Sequence, residues 1–258
     1  MSPALAATLG AIGGAILGSF VATVAIRWPE GLGIGGRSRC DHCGRPLGVL
    51  NLVPLVSCLA QRGRCGACGG KIAALHFGVE LGCAGLGAAL SWAVASLTLP
   101  PAAAAALALL GFVLMLAAAM DARALFLPRV LSLMLLAAGL AWGGIAWAPF
   151  GSELTLADRL LGAAVGGFAL AAIAYAYQRA RGVEGMGGGD PPFFAALGAW
   201  GGVTPQPFVL LLASLAGIAV ALMRRLRGQP VDEPALPLGT LMALAFPFAL
   251  WLSAGLRG

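Results

Sequence analysis

Long apolar stretches alternate with short polar ones along this chain. Runs near Pro3 to Ile26, Leu75 to Leu97, Pro101 to Met120, Val130 to Pro149, Leu160 to Tyr177, Pro191 to Val203, Pro207 to Met223 and Pro237 to Leu256 contain few charges. A helix rises about 1.5 Å per residue, so about 20 such residues cross the ~30 Å hydrocarbon layer of a bilayer. Helices satisfy their own backbone polar groups there, which is why runs of this length predict helices. The expected fold is all-α, a polytopic membrane bundle of about eight transmembrane helices. The run from Pro191 to Val203 is short and rich in glycine, and its ends are the least sharply marked. One long polar stretch, 27–74, separates the first run from the second.

Composition agrees with this reading. Of 258 residues, 60% are hydrophobic and 10% charged, against about 25% charged in an ordinary soluble domain. So few charges cannot cover a water-soluble surface, which argues against a soluble globular chain, a disordered one, a nucleic-acid-binding domain and a secreted disulfide scaffold. The net charge of +6 reports orientation instead. With the N-terminus outside, the inner segments hold Arg27, Arg37, Arg39, Arg45, Arg62, Arg64, Lys71, Arg123, Arg129, Arg179, Arg181, Arg224, Arg225 and Arg227, and only Arg159 and Arg257 fall outside. The positive-inside rule selects this orientation over its reverse. The first run lacks the basic start of a signal peptide, and its first cation, Arg27, follows it, so a retained helix is expected.

Four of the six cysteines lie in the polar stretch, as Cys40-Asp41-His42-Cys43 and Cys65-Gly66-Ala67-Cys68. Each C-x-x-C places two thiolates on one tight turn, and two such turns complete a tetrahedral sulfur site suited to zinc. Redox-active thiols or disulfides compete with this reading, but a reducing cytoplasm, which the orientation implies, argues against disulfides. His42 is an alternative fourth ligand. A zinc ion would hold a segment too small and polar to build its own core. Cys58 and Cys83 have no partnered motif, and buried packing is expected for both.

The 39 glycines are about twice the usual frequency. Gly10, Gly14 and Gly18 recur every four residues, as do Gly162 and Gly166. Such faces bring helices close in lipid, either within the bundle or against a second copy in a homodimer.

Most of the ten acids, including Glu30, Asp41, Glu153, Asp158, Glu184, Asp232 and Glu233, belong to loops. Glu80, Asp121 and Asp190 instead sit in or at the mouths of apolar runs, where a carboxylate is costly. The expected topology puts Asp121 and Asp190 on the cytoplasmic side. Two carboxylates brought together do not both ionise easily, so one can activate water while its protonated partner polarises a carbonyl. Proton-coupled transport and separately solvated helix caps are the other readings of such acids. Gly187-Gly188-Gly189 before Asp190 would let an extended substrate backbone approach.

In these residues the chain resembles the prepilin peptidases, the G-x-G-D membrane aspartic enzymes of type IV pilus and type II secretion systems. The resemblance begins at Gly18-Ser19-Phe20 with Arg27-Trp28-Pro29, and continues through Arg37-Ser38-Arg39-Cys40, the paired knuckles and Glu80. It resumes at Asp121 with Leu127-Pro128. It is most specific at Glu184-Gly185-Met186-Gly187-Gly188-Gly189-Asp190, followed by Ala195-Ala196-Leu197-Gly198-Ala199-Trp200.

The resemblance implies a bifunctional enzyme of the bacterial inner membrane. It would cleave the basic leader from prepilin or pseudopilin substrates at the cytoplasmic face and N-methylate the new terminus with S-adenosylmethionine. It assigns catalysis to Asp121 and Asp190 with Gly187 and Gly189 in support, Zn2+ to Cys40, Cys43, Cys65 and Cys68, and a place in methyl transfer or interfacial capping to Glu80. Residues 1–26 would be the first transmembrane helix, 27–74 the zinc-binding cytoplasmic loop, and 75–258 the peptidase bundle, with prepilins and membrane lipids as partners and no nucleic acid. Two positions depart from the family pattern: Arg129 replaces the aspartate common after Leu-Pro, and Pro192 replaces a lysine common two residues past the second aspartate. The competing readings are an ion- or proton-coupled transporter and a catalytically weakened partner in pilus assembly.

Overall fold

The computed structural model describes residues 1–33, 35–40, 42–147, 154–228 and 236–254. Asp41, Glu153, Asp232, Glu233 and Arg257, and the run ends expected at Pro149 and Leu256, lie outside the described residues. Among those described, the chain is helical and has no strand. The helices are α1 (Pro3–Arg27), the short α2 (Val56–Ala60), α3 (Ala74–Ala95), α4 (Pro101–Ala124), α5 (Arg129–Trp147), α6 (Leu156–Arg181), α7 (Asp190–Gly201), α8 (Gln206–Leu226) and α9 (Leu238–Ala254).

Local chemistry sets the helix ends. Ser2 caps α1 by accepting the Leu5 N–H at 3.3 Å, with Pro3 in the first turn where no backbone donor is needed. Thr155 and Asp158 form a reciprocal capping box at α6, and Gly182, at φ +72°, ends that helix in the left-handed conformation. Asp158 is thus a capping acid, as its place beside a span suggests.

Among the described residues, six helices are long and apolar enough to cross a membrane: α1, α3, α4, α5, α6 and α8. The expected span from Pro191 to Val203 is shorter than the others. The helix there, α7, has 12 residues, about 18 Å at the usual rise and short of the ~30 Å hydrocarbon layer. Every residue from Phe193 to Gly201 is buried, so protein surrounds this helix. The eighth expected span appears as α9, a shorter apolar helix containing Pro247.

The fold divides into two compact units, Met1–Ala119 and Met120–Gly258, with the boundary inside α4. In the first, α1 lies antiparallel to α3 along the expected glycine face. A Cβ on Gly10 would overlap the carbonyl of Gly87, one on Gly14 the carbonyl of Cys83, and one on Gly18 would sit 2.9 Å from Glu80 Cα. The opposite side of α1 leaves Leu9, Ile16 and Phe20 about half exposed, an apolar surface suited to lipid. Cys83 is fully buried in this contact, as expected. Cys58 is not: it is only partly buried, because the five-residue α2 rests on a polar loop with no core beneath it.

In the second unit α7 threads the bundle centre. Gly162 approaches Gly198 and Gly202 while Gly167 approaches Ala195 and Pro191, so α7 runs antiparallel to α6. The Trp200 indole N–H donates to the Leu135 carbonyl of α5 at 2.9 Å, and Gln206 donates to the Gly162 carbonyl of α6. Both glycine faces singled out in the sequence are therefore occupied inside the chain.

Candidate active site and metal centre

Asp121 occupies the last turn of α4, where Leu125, at φ +51°, closes the helix by donating its N–H to the Asp121 carbonyl at 2.9 Å. The carboxylate points at the start of α9. Its Oδ2 accepts the Thr240 backbone N–H at 2.7 Å and the Thr240 hydroxyl at 3.1 Å. A helix N-terminus offers unsatisfied N–H groups and a positive dipole end, both favourable to a carboxylate.

Asp190 opens α7. Gly187 donates its N–H to Asp190 Oδ2 at 3.1 Å, while the Asp190 N–H returns to the Gly187 carbonyl at 3.1 Å. Pro191 and Pro192 follow in the first helical turn, a position that costs them no hydrogen bond. Pro192 is thus a helix starter.

Leu127 joins the two acids. Its side chain lies 3.1 Å from where a Cβ on Gly239 would sit, beside Asp121 Oδ2, and its carbonyl lies where a Cβ on Gly189 would fall. Gly189 is therefore required by close approach of the backbone. Asp121 and Asp190 are 5% and 6% exposed, and close enough for their charges to act on one another. The fold thus brings together the two acids that the sequence separates by more than sixty residues.

Two contributors escape sequence reasoning. Thr240 reads as an ordinary residue in the last apolar run. Arg129, noted only as a departure from the family pattern, donates from Nε to the Gly188 carbonyl at 3.4 Å and so braces the glycine loop.

The cysteines form a separate centre in the first unit. The four Sγ atoms of Cys40, Cys43, Cys65 and Cys68 all lie within 4.8 Å of one another. The knuckles repeat one local fold: Cys40 and Cys65 donate N–H groups to the carbonyls of Arg45 and Gly70, and Gly44 and Gly69, both left-handed, donate back to Cys40 and Cys65. Tetrahedral zinc with bonds of about 2.3 Å places its sulfurs about 3.8 Å apart. Cys40 and Cys68 are 3.8 Å apart, so the residues fit the ion. Backbone N–H groups of Ala67 and Cys68, with Cys40, lower the Cys65 thiol to about 6. Cys68 rises to about 11: the Gly70 N–H opposes the change, while desolvation and the neighbouring thiols drive it. A cluster that holds one thiolate readily but resists more is what a divalent cation relieves. His42 instead hydrogen-bonds the Lys71 carbonyl at 3.1 Å.

Glu80 belongs to the first unit. It is buried in α3, and its Oε2 accepts the Leu55 N–H at 2.7 Å. Leu55 has φ +60°, so the carboxylate holds a left-handed residue that is not glycine.

This is a polytopic membrane protein with an aspartate pair enclosed in helices and, on a loop, four thiols close enough to hold a metal ion. Residues 12–94 match the bacterial Peptidase A24 N-terminal domain, and residues 108–222 match the type IV leader peptidase family. A prepilin leader peptidase/N-methyltransferase of Aeromonas hydrophila is 39% identical over 215 residues, covering 83% of this chain and 71% of that protein. One from Burkholderia pseudomallei (strain K96243) is 39% identical over 80% of this chain and 64% of its own length. One from Pseudomonas putida is 33% identical over 95% and 90%. No solved structure gives a significant match. The chain belongs to the type IV leader peptidase family and is a multi-pass protein of the bacterial inner membrane.

Proposed function

We propose that this chain removes the leader from prepilins or type II secretion pseudopilins and N-methylates the residue exposed, using S-adenosylmethionine. The pairing of Asp121 with Asp190 carries the reading. Two enclosed carboxylates share one proton more readily than they both ionise. The ionised member takes a proton from water as that water attacks the scissile carbonyl, and the protonated member donates to the carbonyl oxygen. Thr240 and Gly187 hold the two carboxylates in place, and the side-chain-free surface of Gly187-Gly188-Gly189 admits an extended substrate backbone.

In this reading the N-terminus is periplasmic, and both the zinc loop and the aspartates face the cytoplasm, where the basic leader of the substrate is found. Residues 27–74 form the zinc-held segment associated with methyl transfer, and 75–258 the cleaving bundle. Zinc on Cys40, Cys43, Cys65 and Cys68 is structural, since four thiolates leave no open position for catalysis. Both glycine stripes are used within the chain, so they are not the contact for a second copy.

The test is cleavage of a co-expressed prepilin. Asp121→Asn and Asp190→Asn should each abolish processing while the protein accumulates normally. Normal processing by either variant would refute the paired mechanism, and proton-coupled transport across proteoliposomes by a non-cleaving chain would establish the transporter instead.

A further inference from the structure

The segment between the two cysteine knuckles is inside out for a chain in water. Along 49–59, Val49, Leu50, Val53, Val56 and Leu59 all stand exposed, Val49 and Leu50 at 80% and 84%. Polar residues of the same stretch, Asn51 and Ser57, instead line a cavity in the first unit, where Gln61 donates to Asn51 Oδ1 at 3.1 Å. Single exposed apolar residues are ordinary, but large ones crowded into so short a stretch mark a contact surface.

Depth along the spans says what covers this surface. The Leu55 N–H, at the start of α2, donates to Glu80 Oε2 at 2.7 Å. Glu80 lies six residues into α3, about 9 Å from the loop-side end of that helix. It faces Gly18, which lies nine residues, about 14 Å, before the end of α1. The hydrogen bond therefore holds α2 beside two membrane-crossing helices, below their loop-side ends. Leu81, next to Glu80, and Phe20, two residues past Gly18, are about half exposed at this level. The apolar surface of 49–59 thus lies level with the surface that α1 and α3 offer to lipid.

Charge fits the same placement. Between His42 and Val79 the chain has no acid and four cations, Arg45, Arg62, Arg64 and Lys71, all exposed. Cations beside an apolar surface are what an anionic bilayer face attracts. Pro54 and the breaks on either side of α2 leave backbone groups outside any helix, which hydrocarbon does not tolerate and the hydrated headgroup region does.

We propose that residues 49–59 are an interfacial anchor, lying at the boundary between headgroups and acyl chains. Val49, Leu50, Val56 and Leu59 enter the acyl region, and Arg45, Arg62 and Arg64 rest on anionic lipid headgroups. The anchor pins the four-cysteine loop to the bilayer at a fixed height beside α1 and α3. It does not depend on either reaction proposed above.

The full chain in nanodiscs of phosphatidylcholine and phosphatidylglycerol tests this directly. With the photoreactive residue p-benzoylphenylalanine in place of Leu50 or Leu59, irradiation should join the chain to lipid, read as a mass increase of one lipid. Cross-linking to a second copy of the chain, or no adduct at either position, overturns the proposal. Trypsin gives an independent reading. The double variant Leu50→Glu with Leu59→Glu should release the segment and speed cutting after Arg62 and Arg64 about tenfold, as the loss of two lipid-buried leucines requires. Cutting after Arg37, whose carbonyl Arg27 holds at 3.3 Å, should stay at the wild-type rate and verify that the loop is folded. Unchanged cutting after Arg62 and Arg64 overturns the anchor. Nanodiscs without phosphatidylglycerol should raise cutting of the wild-type chain at these two sites about threefold, and equal rates in the two lipids would overturn the headgroup role of the cations.

Discussion

Thr240 gives both its backbone N–H and its hydroxyl to one oxygen of Asp121, at 2.7 and 3.1 Å, across 119 positions of sequence. The start of α9 therefore fixes the orientation of the acid at the end of α4. Thr240→Val keeps the backbone donor and removes the hydroxyl. A hydrogen bond to a charged group is worth about 1.5–3 kcal/mol, so leader removal should slow by roughly 10- to 100-fold. Thr240→Ser should restore it. Initial cleavage rates in detergent, with abundance checked by immunoblot, give the answer, and a valine variant as fast as wild type would mean the hydroxyl is idle.

Adjacent glycines should respond differently to the same methyl group. A Cβ on Gly189 overlaps the Leu127 carbonyl and comes within 2.9 Å of Leu127 Cβ, so backbone must move beside both aspartates. On Gly188 it meets only the end of the Arg129 side chain, at 3.2 Å, and that end can swing away. Gly189→Ala should therefore lose about 100-fold or more in processing rate, on the scale of misplaced catalytic groups, while Gly188→Ala stays within a few-fold. Equal losses in the two variants would show that loop flexibility, not this contact, is what matters.

Arg129 braces the glycine loop through the Gly188 carbonyl, with a long bond of 3.4 Å from an exposed side chain. Its removal should be mild. Arg129→Ala is expected to lower kcat about two- to fivefold with KM unchanged, and Arg129→Lys to recover part of the loss. A rise in KM alone would assign Arg129 to substrate binding.

The metal centre should depend on pH with a definite sign. Cys65 titrates at about 6 in the folded chain against 9.0 for an ordinary thiol. An acid depressed by folding contributes stability that is complete above about 9 and lost as pH falls toward 6, and protons compete with zinc over the same acidic range. Purified protein should carry one zinc per chain, release it on acidification below about 6, and lose it in Cys43→Ser. Metal analysis across a pH series measures this, and zinc content unaffected by Cys43→Ser would exclude the four-thiol site.

Packing of α1 on α3 gives a stability test. Gly14 faces the backbone of Cys83, with its carbonyl carbon 2.9 Å from a new Cβ, whereas Gly13 has nothing within 4 Å. Overpacking costs about 1–3 kcal/mol, so Gly14→Ala should lower the thermal midpoint by several degrees and Gly13→Ala should not. Matching midpoints would show that the two helices part at little cost.

Much of the site was legible because its signals are local. The C-x-x-C spacing and the following Gly44 and Gly69 already describe a metal knuckle, since bond lengths leave few ways to turn a chain around one ion. Asp121 and Asp190 stand out because a carboxylate in an apolar run needs a reason to be there. Thr240 carries no such mark: its hydroxyl is unremarkable until α9 is placed against α4. Arg129 was visible as an unusual residue, but its reach to Gly188 was not, because the two lie 59 positions apart.

An all-helical membrane protein, the places of its principal spans, the thiols spaced for a metal and the acids that invite catalysis could all be read from the chain alone. Those properties follow from run length, spacing and the cost of charge in an apolar environment. That protein sheathes α7 emerges only from the packed helices. Hydropathy reports that a segment avoids water, not whether lipid or protein takes the water's place, and around Phe193 and Trp200 protein does. The same holds for the Thr240 contact with Asp121 and the Leu55 contact with Glu80, which exist only once segments distant in sequence have packed.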